Sequence, residues 1–132
     1  MPQQPALLLY NLEGTKGNAW RAAAMRLKIR IRTVSRQEYA LPLAELLAEA
    51  AKEPAAGPVM TITDEMLVMA HFLPGMMDVF LLTARRMGAA PVALKAVLTP
   101  TNARWNSLEL YRELSAERDA LSAGTKARHE KQ

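Results

Sequence analysis

The stretch from Pro91 to Trp105 (Pro-Val-Ala-Leu-Lys-Ala-Val-Leu-Thr-Pro-Thr-Asn-Ala-Arg-Trp) constrains the fold more than any other. Its first half, about Val92 to Leu98, is a short apolar run of the kind that forms a buried strand, and its second half is a polar turn that starts a helix. Two further runs, Ala6 to Asn11 and Met66 to Ala70, are apolar almost throughout. Runs of this length without alternation suit strands covered on both faces, as in a parallel sheet. The segment Leu27 to Val34 is different, because it alternates. Leu27, Ile29, Ile31 and Thr33 are expected to face inward while Lys28, Arg30 and Arg32 meet water, which places this strand at an edge, where basic side chains also discourage pairing with another sheet.

Helical spacing fills the intervals. Thr15 is placed to cap a helix carrying Trp20, Ala23, Ala24 and Leu27 on one face. Pro42 opens a second with Leu43, Leu46, Leu47 and Ala50 inward, and Pro74 a third with Met77, Phe80, Leu81 and Ala84, stopped by Gly88. Thr101 or Asn102 caps the last, which buries Leu110, Tyr111, Leu114 and Leu121 and fades near Gly124. The order βαβαβαβα predicts an α/β fold with a four-stranded parallel sheet, right-handed crossovers and strand order 2-1-3-4. Residues 1–121 form the single expected domain and 122–132 a flexible basic tail, with Lys52 to Asp64 as a loop. No repeat of the solenoid kind is present.

Composition excludes several function classes. The chain has 132 residues, enough for one core, and no cysteine, which removes disulfides, thiolate nucleophiles and cysteine-ligated metal sites. The start lacks the pattern of a signal peptide, and no run approaches the ~18 apolar residues of a membrane helix. A cytoplasmic protein with no membrane contact is the resulting expectation. The formal charge is only +4, of which Lys126, Arg128 and Lys131 against Glu130 contribute +2. The body is too nearly balanced for a domain built around phosphate neutralisation.

Ligands of open parallel sheets bind beyond the carboxyl ends of the strands. That rule gathers Asn11, Glu13, Gly14 and Thr15 from the first loop, Ser35, Arg36 and Tyr39 from the second, and His71 from the third. The fourth loop adds Thr99, Thr101, Asn102, Arg104 and Trp105. Asn11, Glu13 and His71 fall nearest the expected crevice. Each residue also has a purely structural reading: Thr15, Thr101 and Asn102 as caps, Trp105 as core packing, Lys95 as an edge lysine or the partner of a carboxylate. Gly14-Thr15-Lys16-Gly17 matches no phosphate-loop pattern, and two histidines, His71 and His129, support neither a metal site nor a catalytic triad.

Leu8-Leu9-Tyr10-Asn11, Met66-Leu67-Val68-Met69 and Leu94-Lys95-Ala96-Val97-Leu98-Thr99-Pro100-Thr101-Asn102 together resemble an uncharacterised bacterial family of small proteins catalogued only as a domain of unknown function. The resemblance covers Ala6 to about Leu121. It implies a compact α/β domain of bacterial origin and brings no reaction, cofactor or partner. Three readings of function follow. The first is a non-catalytic binding or regulatory domain for a small polar ligand or a protein, monomeric or homodimeric. The second is an enzyme acting on an anionic substrate with His71 as acid or base. The third, disfavoured by the charge balance, is nucleic-acid binding through Lys28, Arg30, Arg32 and the tail.

Overall fold

The structure, a computed structural model, describes residues 4–48 and 61–130, the last ten of them as backbone only. Ala50, most of the expected 52–64 loop and Lys131 lie outside the described residues. Strands β1 (Ala6–Tyr10), β2 (Arg30–Thr33), β3 (Met66–Ala70) and β4 (Leu94–Val97) form one sheet in the order β2-β1-β3-β4, as expected. Their directions are not as expected. β1 pairs with β2, and β3 with β4, in parallel, but β1 and β3 run antiparallel, with Ala6 opposite Ala70 and Tyr10 opposite Met66. The sheet is mixed, which corrects the wholly parallel reading. All five residues of both central strands are buried, and a run covered on both faces carries no mark of its direction.

Alternation along the central strands builds two layers. Leu7, Leu9, Leu67 and Met69 face helices α1 (Thr15–Arg26) and α3 (Met76–Arg86), meeting Trp20, Ala23, Ala24, Phe80 and Ala84. Phe80 organises this side, with its ring 5.8 Å from Trp20 and edge-on to Phe72 at 5.7 Å. Leu8, Tyr10, Met66 and Val68 face the short helix α2 (Leu43–Leu46) and the long helix α4 (Ser107–Glu130), through Leu43, Leu46 and Leu110. α4 thus continues past Gly124.

The antiparallel pair has a simple geometric source. Each half runs strand, left-handed residue, apolar residue, turn with a left-handed glycine, helix, parallel strand, 3-10 turn, helix. In the first half these are β1, Asn11 (φ 59°), Leu12, Gly14 (φ 68°), α1, β2, the turn Arg36–Glu38 and α2. In the second they are β3, His71 (φ 60°), Phe72, Gly75 (φ 80°), α3, β4, the turn Asn102–Arg104 and α4. Two such units joined edge to edge about a two-fold axis give the observed order with its central strands opposed.

Helix starts differ from the expected caps. Gly14, not Thr15, stands at the N-cap of α1 without a side-chain bond, and Gly75 rather than Pro74 precedes α3. α4 is capped by Asn106, whose Oδ1 accepts the Glu109 N–H at 2.9 Å while Glu109 Oε1 accepts the Asn106 N–H at 3.2 Å. Thr101 and Asn102 lie in the preceding turn.

Candidate functional site

The opposed central strands divide the carboxyl-end surface into two. Asn11, Glu13, Gly14 and Thr15 follow β1 at one end of the sheet; His71 and the Thr99 to Arg104 loop follow β3 and β4 at the other. The expected crevice between Asn11, Glu13 and His71 is therefore not formed. At the first end, Asn11 Nδ2 donates to Ile62 O at 2.7 Å and Asp64 O at 2.9 Å, tying the end of β1 to the approach to β3. The Leu12 carbonyl accepts from Arg21 at 2.5 Å, and Gly17 packs so closely that a Cβ there would lie 1.8 Å from the same oxygen. The turn turns carbonyls inward to an arginine, the reverse of a phosphate cradle.

At the other end, Asn102 is buried and its side chain is consumed by the backbone. Its Oδ1 accepts the Thr99 N–H at 2.8 Å and its Nδ2 donates to Val97 O at 3.0 Å, while Thr99 Oγ1 accepts the Asn102 N–H at 3.1 Å. Trp105 packs against the α2/α4 core and its carbonyl accepts the Leu43 N–H, so packing accounts for it. Thr101 and Arg104 are exposed, and half-exposed His71 makes no side-chain hydrogen bond among the described residues.

The basic edge is also rearranged. Arg30 and Arg32 do not stand in open water; they lie along the α2 side of β2. Arg30 Nη2 donates to Leu47 O at 2.6 Å, and Arg32 pairs with Glu38. Their aliphatic stems cover the sheet while the heads find local partners, which the alternation alone did not reveal. Lys28 is exposed, in the left-handed region. Burial by itself would push the Glu38 carboxyl up, but the Ser35 N–H and the Arg32 guanidinium outweigh it and hold the carboxyl below its ordinary range.

Sequence reasoning missed a groove of about 380 Å³ between α3 and the edge strand β4. Trp20, Leu81, Leu82 and Val92 supply its apolar lining, and Asp78, Arg85 and Lys95 its charges. Trp20 is 5% exposed, yet its indole Nε1, a donor, has no acceptor among the described residues. Leu82 and, beyond the groove on β4, Val97 are each 46% exposed. The available signal was the alternation Leu94-Lys95-Ala96-Val97: Leu94 and Ala96 are buried under α4, leaving Lys95 and Val97 on the uncovered face. Among the described residues no group of three or more His, Cys, Asp or Glu could hold a metal ion, and no helix is long and apolar enough to cross a membrane.

The element plan of the second half coincides with a family boundary. Residues 65–121 match the family model DUF3783, a domain of unknown function. The DUF3783 match begins at β3 and ends within α4, so it encloses the second β-α-β-α unit and the α3/β4 side of the groove. The expected resemblance to a family known only as a domain of unknown function thus holds for this segment; residues 6–64, with Leu8-Leu9-Tyr10-Asn11, lie outside the match. No curated protein and no solved structure shows significant similarity to the chain.

Proposed function

We propose that the protein is a non-catalytic binding domain of bacterial, cytoplasmic origin whose recognition surface is the groove between α3 and β4. The observation that carries this reading is the combination, in one concavity, of an apolar lining and charges of both signs, with Trp20, whose buried indole N–H has no acceptor among the described residues, in its wall. Pockets of this size with few polar groups are the usual form of a ligand site. Of the polar loop residues that suggested a carboxyl-end site, Asn102 is buried with both side-chain polar atoms bonded to backbone, and the Asn11 Nδ2 is likewise bonded to backbone. The enzyme reading rests on His71 alone, with no acid or base hydrogen-bonded to it among the described residues. Nucleic-acid binding loses two of its three edge cations, because Arg30 and Arg32 are engaged within the fold.

Trp20 and Trp105 are the two tryptophans and they lie in opposite layers, so Trp105→Phe leaves Trp20 as a single fluorescent reporter of the groove. Metabolite and peptide panels are expected to contain binders that shift Trp20 emission and raise Tm, and Leu82→Arg is expected to remove both effects. Binders whose effects survive Leu82→Arg would place recognition elsewhere, and panels without a binder would refute the reading.

A further inference from the structure

Resting on that reading, we infer that the groove's occupant is a short extended peptide segment that adds to the free edge of β4, antiparallel to it, with a carboxylate at its leading end. Three observations carry this. The first is the state of the β4 backbone. Among the described residues β4 is the last strand in the sheet, and the Leu98 N–H donates to Met69 O, on the β3 side. Because successive residues of a strand turn their backbone groups to opposite sides, the N–H and C=O of Ala96 also point to β3. Those of Lys95 and Val97 point to the outer edge, where the Val97 C=O already accepts from Asn102 Nδ2, which leaves the Lys95 N–H and C=O and the Val97 N–H for an added strand. One complete donor–acceptor pair at Lys95 and a second donor at Val97 are enough for one added antiparallel strand to begin a ladder.

The second observation is the distribution of charge. Asp78 lies in the first turn of α3 and Arg85 in its last, seven residues apart, or ~10 Å along the axis at the usual rise of an α-helix. Arg85 lies at the helix end nearer the start of β4, where Lys95 also stands, so the groove is negative at one end and positive at the other. An α-amino acid, whose charges sit on one carbon, cannot span them. Three residues of extended chain can, at about 3.3 Å each. Their carboxyl end belongs at Arg85 and Lys95, which makes the added strand antiparallel to β4.

The third is the wall. Leu81, Leu82 and Val97 offer apolar surface beside that edge, and Trp20, whose buried indole N–H has no acceptor among the described residues, lines the groove. Asp78 and Arg85 also suit the dipole of their own helix, and Lys95 suits an unpaired edge. Those roles leave the groove's apolar lining unexplained; a bound strand accounts for it.

The probe is the tetrapeptide Lys-Val-Leu-Val with a free carboxyl terminus, compared with its carboxamide, in amide exchange and Trp20 emission on the Trp105→Phe protein. Binding is expected to slow exchange at Lys95 and Val97 while leaving Ala96 and Leu98 as they were. The carboxamide and Arg85→Gln should each weaken binding about tenfold, the loss of one charge-assisted contact. Val97→Pro, which removes one outward donor where proline is tolerated, should abolish binding with an unchanged circular dichroism spectrum. Leu82→Lys keeps the test valid if Val97→Pro fails to fold. Equal binding of acid and amide would overturn the carboxylate. A Trp20 shift without protection at Lys95 and Val97 would overturn strand addition while leaving the groove as a ligand site. Protection that appears without peptide and grows with protein concentration would make a second copy the occupant and overturn the inference. Failure of every panel member as well as the peptide would remove the proposed function with it.

Discussion

The two halves of the molecule share an element plan and close it differently. In the first, α1 is drawn onto its own loop, with Gly17 against the Leu12 carbonyl and Arg21 bonded to the same oxygen. β2 is sealed on its α2 face by Arg30 and by the pair Arg32 and Glu38. In the second half α4 covers Leu94 and Ala96, while Lys95 and Val97, at the places that Ile31 and the likewise exposed Thr33 hold in β2, stay exposed. Ile31 is half-buried where Lys95 is open. The same plan thus covers the face of β2 that carries Ile31 more fully than the matching face of β4 that carries Lys95, and the proposed recognition surface lies on the barer of the two.

The sharpest break in this comparison is steric. Gly17→Ala puts a Cβ against backbone that cannot move without opening the β1–α1 turn, and a loss of about 3 kcal/mol or more is expected, in the range of the severe backbone and packing defects. Met77, the residue one strand-to-strand offset of 60 further on, is partly exposed, and Met77→Ala is expected within about 0.5 kcal/mol of the parent. Urea denaturation followed at Trp20 and Trp105 measures both; equal losses would show that α1 and α3 are held alike.

Next comes Tyr10, which has Ala70 at the matching place in the second half. Its hydroxyl meets Ser107 Oγ at 2.6 Å in the buried α2/α4 layer, joining the first strand to the last helix. Tyr10→Phe orphans the serine and is expected to cost about 1–3 kcal/mol. Burial raises the Tyr10 pKa far above its ordinary value, and burial also raises that of Tyr39. The unfolded chain then loses these protons first, so the stabilisation is complete below the ordinary tyrosine value near ~10 and is lost as pH rises toward the folded values. Alkaline denaturation should therefore be steep in the parent and shallower in Tyr10→Phe; parallel curves would contradict the assignment.

Much of this plan was legible in the residues, and the reasons for the rest are specific. Met66–Ala70 was read with its observed bounds, and the order β2-β1-β3-β4 followed from the alternation of Leu27 to Val34. Direction was not legible, because Ala6–Tyr10 and Met66–Ala70 are buried on both faces and the long 52–64 connection permits either sense. A usable signal existed in the repeated sequence of strand, Asn11 or His71, apolar residue and Gly14 or Gly75. The expected crevice between Asn11, Glu13 and His71 depended on direction, so the antiparallel central pair removes it. The alternation Leu94-Lys95-Ala96-Val97 marked one bare face of β4, but the groove also depends on how α3 packs beside that face, which the local pattern does not contain.

The turns after the two edge strands give the next comparison. Asn102 closes the second half with three neutral hydrogen bonds to Val97 and Thr99. Asn102→Ala leaves buried backbone groups without partners and should cost about 1–2 kcal/mol. No charge is involved, so that loss should be the same at pH 4 and pH 7. Stability curves at the two values check this, and a pH-dependent difference would mean that a titrating group outside the turn takes part.

The smallest expected effect is the counterpart in the first half, where the closure is ionic. Glu38 accepts from the Ser35 N–H at 3.0 Å and from Arg32, and its carboxyl is held below the ordinary value. A lowered carboxyl contributes stability above the unfolded value and loses it as pH falls through the folded one. Glu38→Gln should therefore cost about 0.5–1 kcal/mol at pH 7, as a pair of partly exposed charges does. The difference from the parent should close as pH falls below the carboxylate range. Salt should shrink it at pH 7 while leaving the Asn102→Ala loss unchanged. A Glu38→Gln deficit that persists unchanged into acid would assign the turn's stability to its shape rather than its charge, and the two halves would then be closed by the same physics.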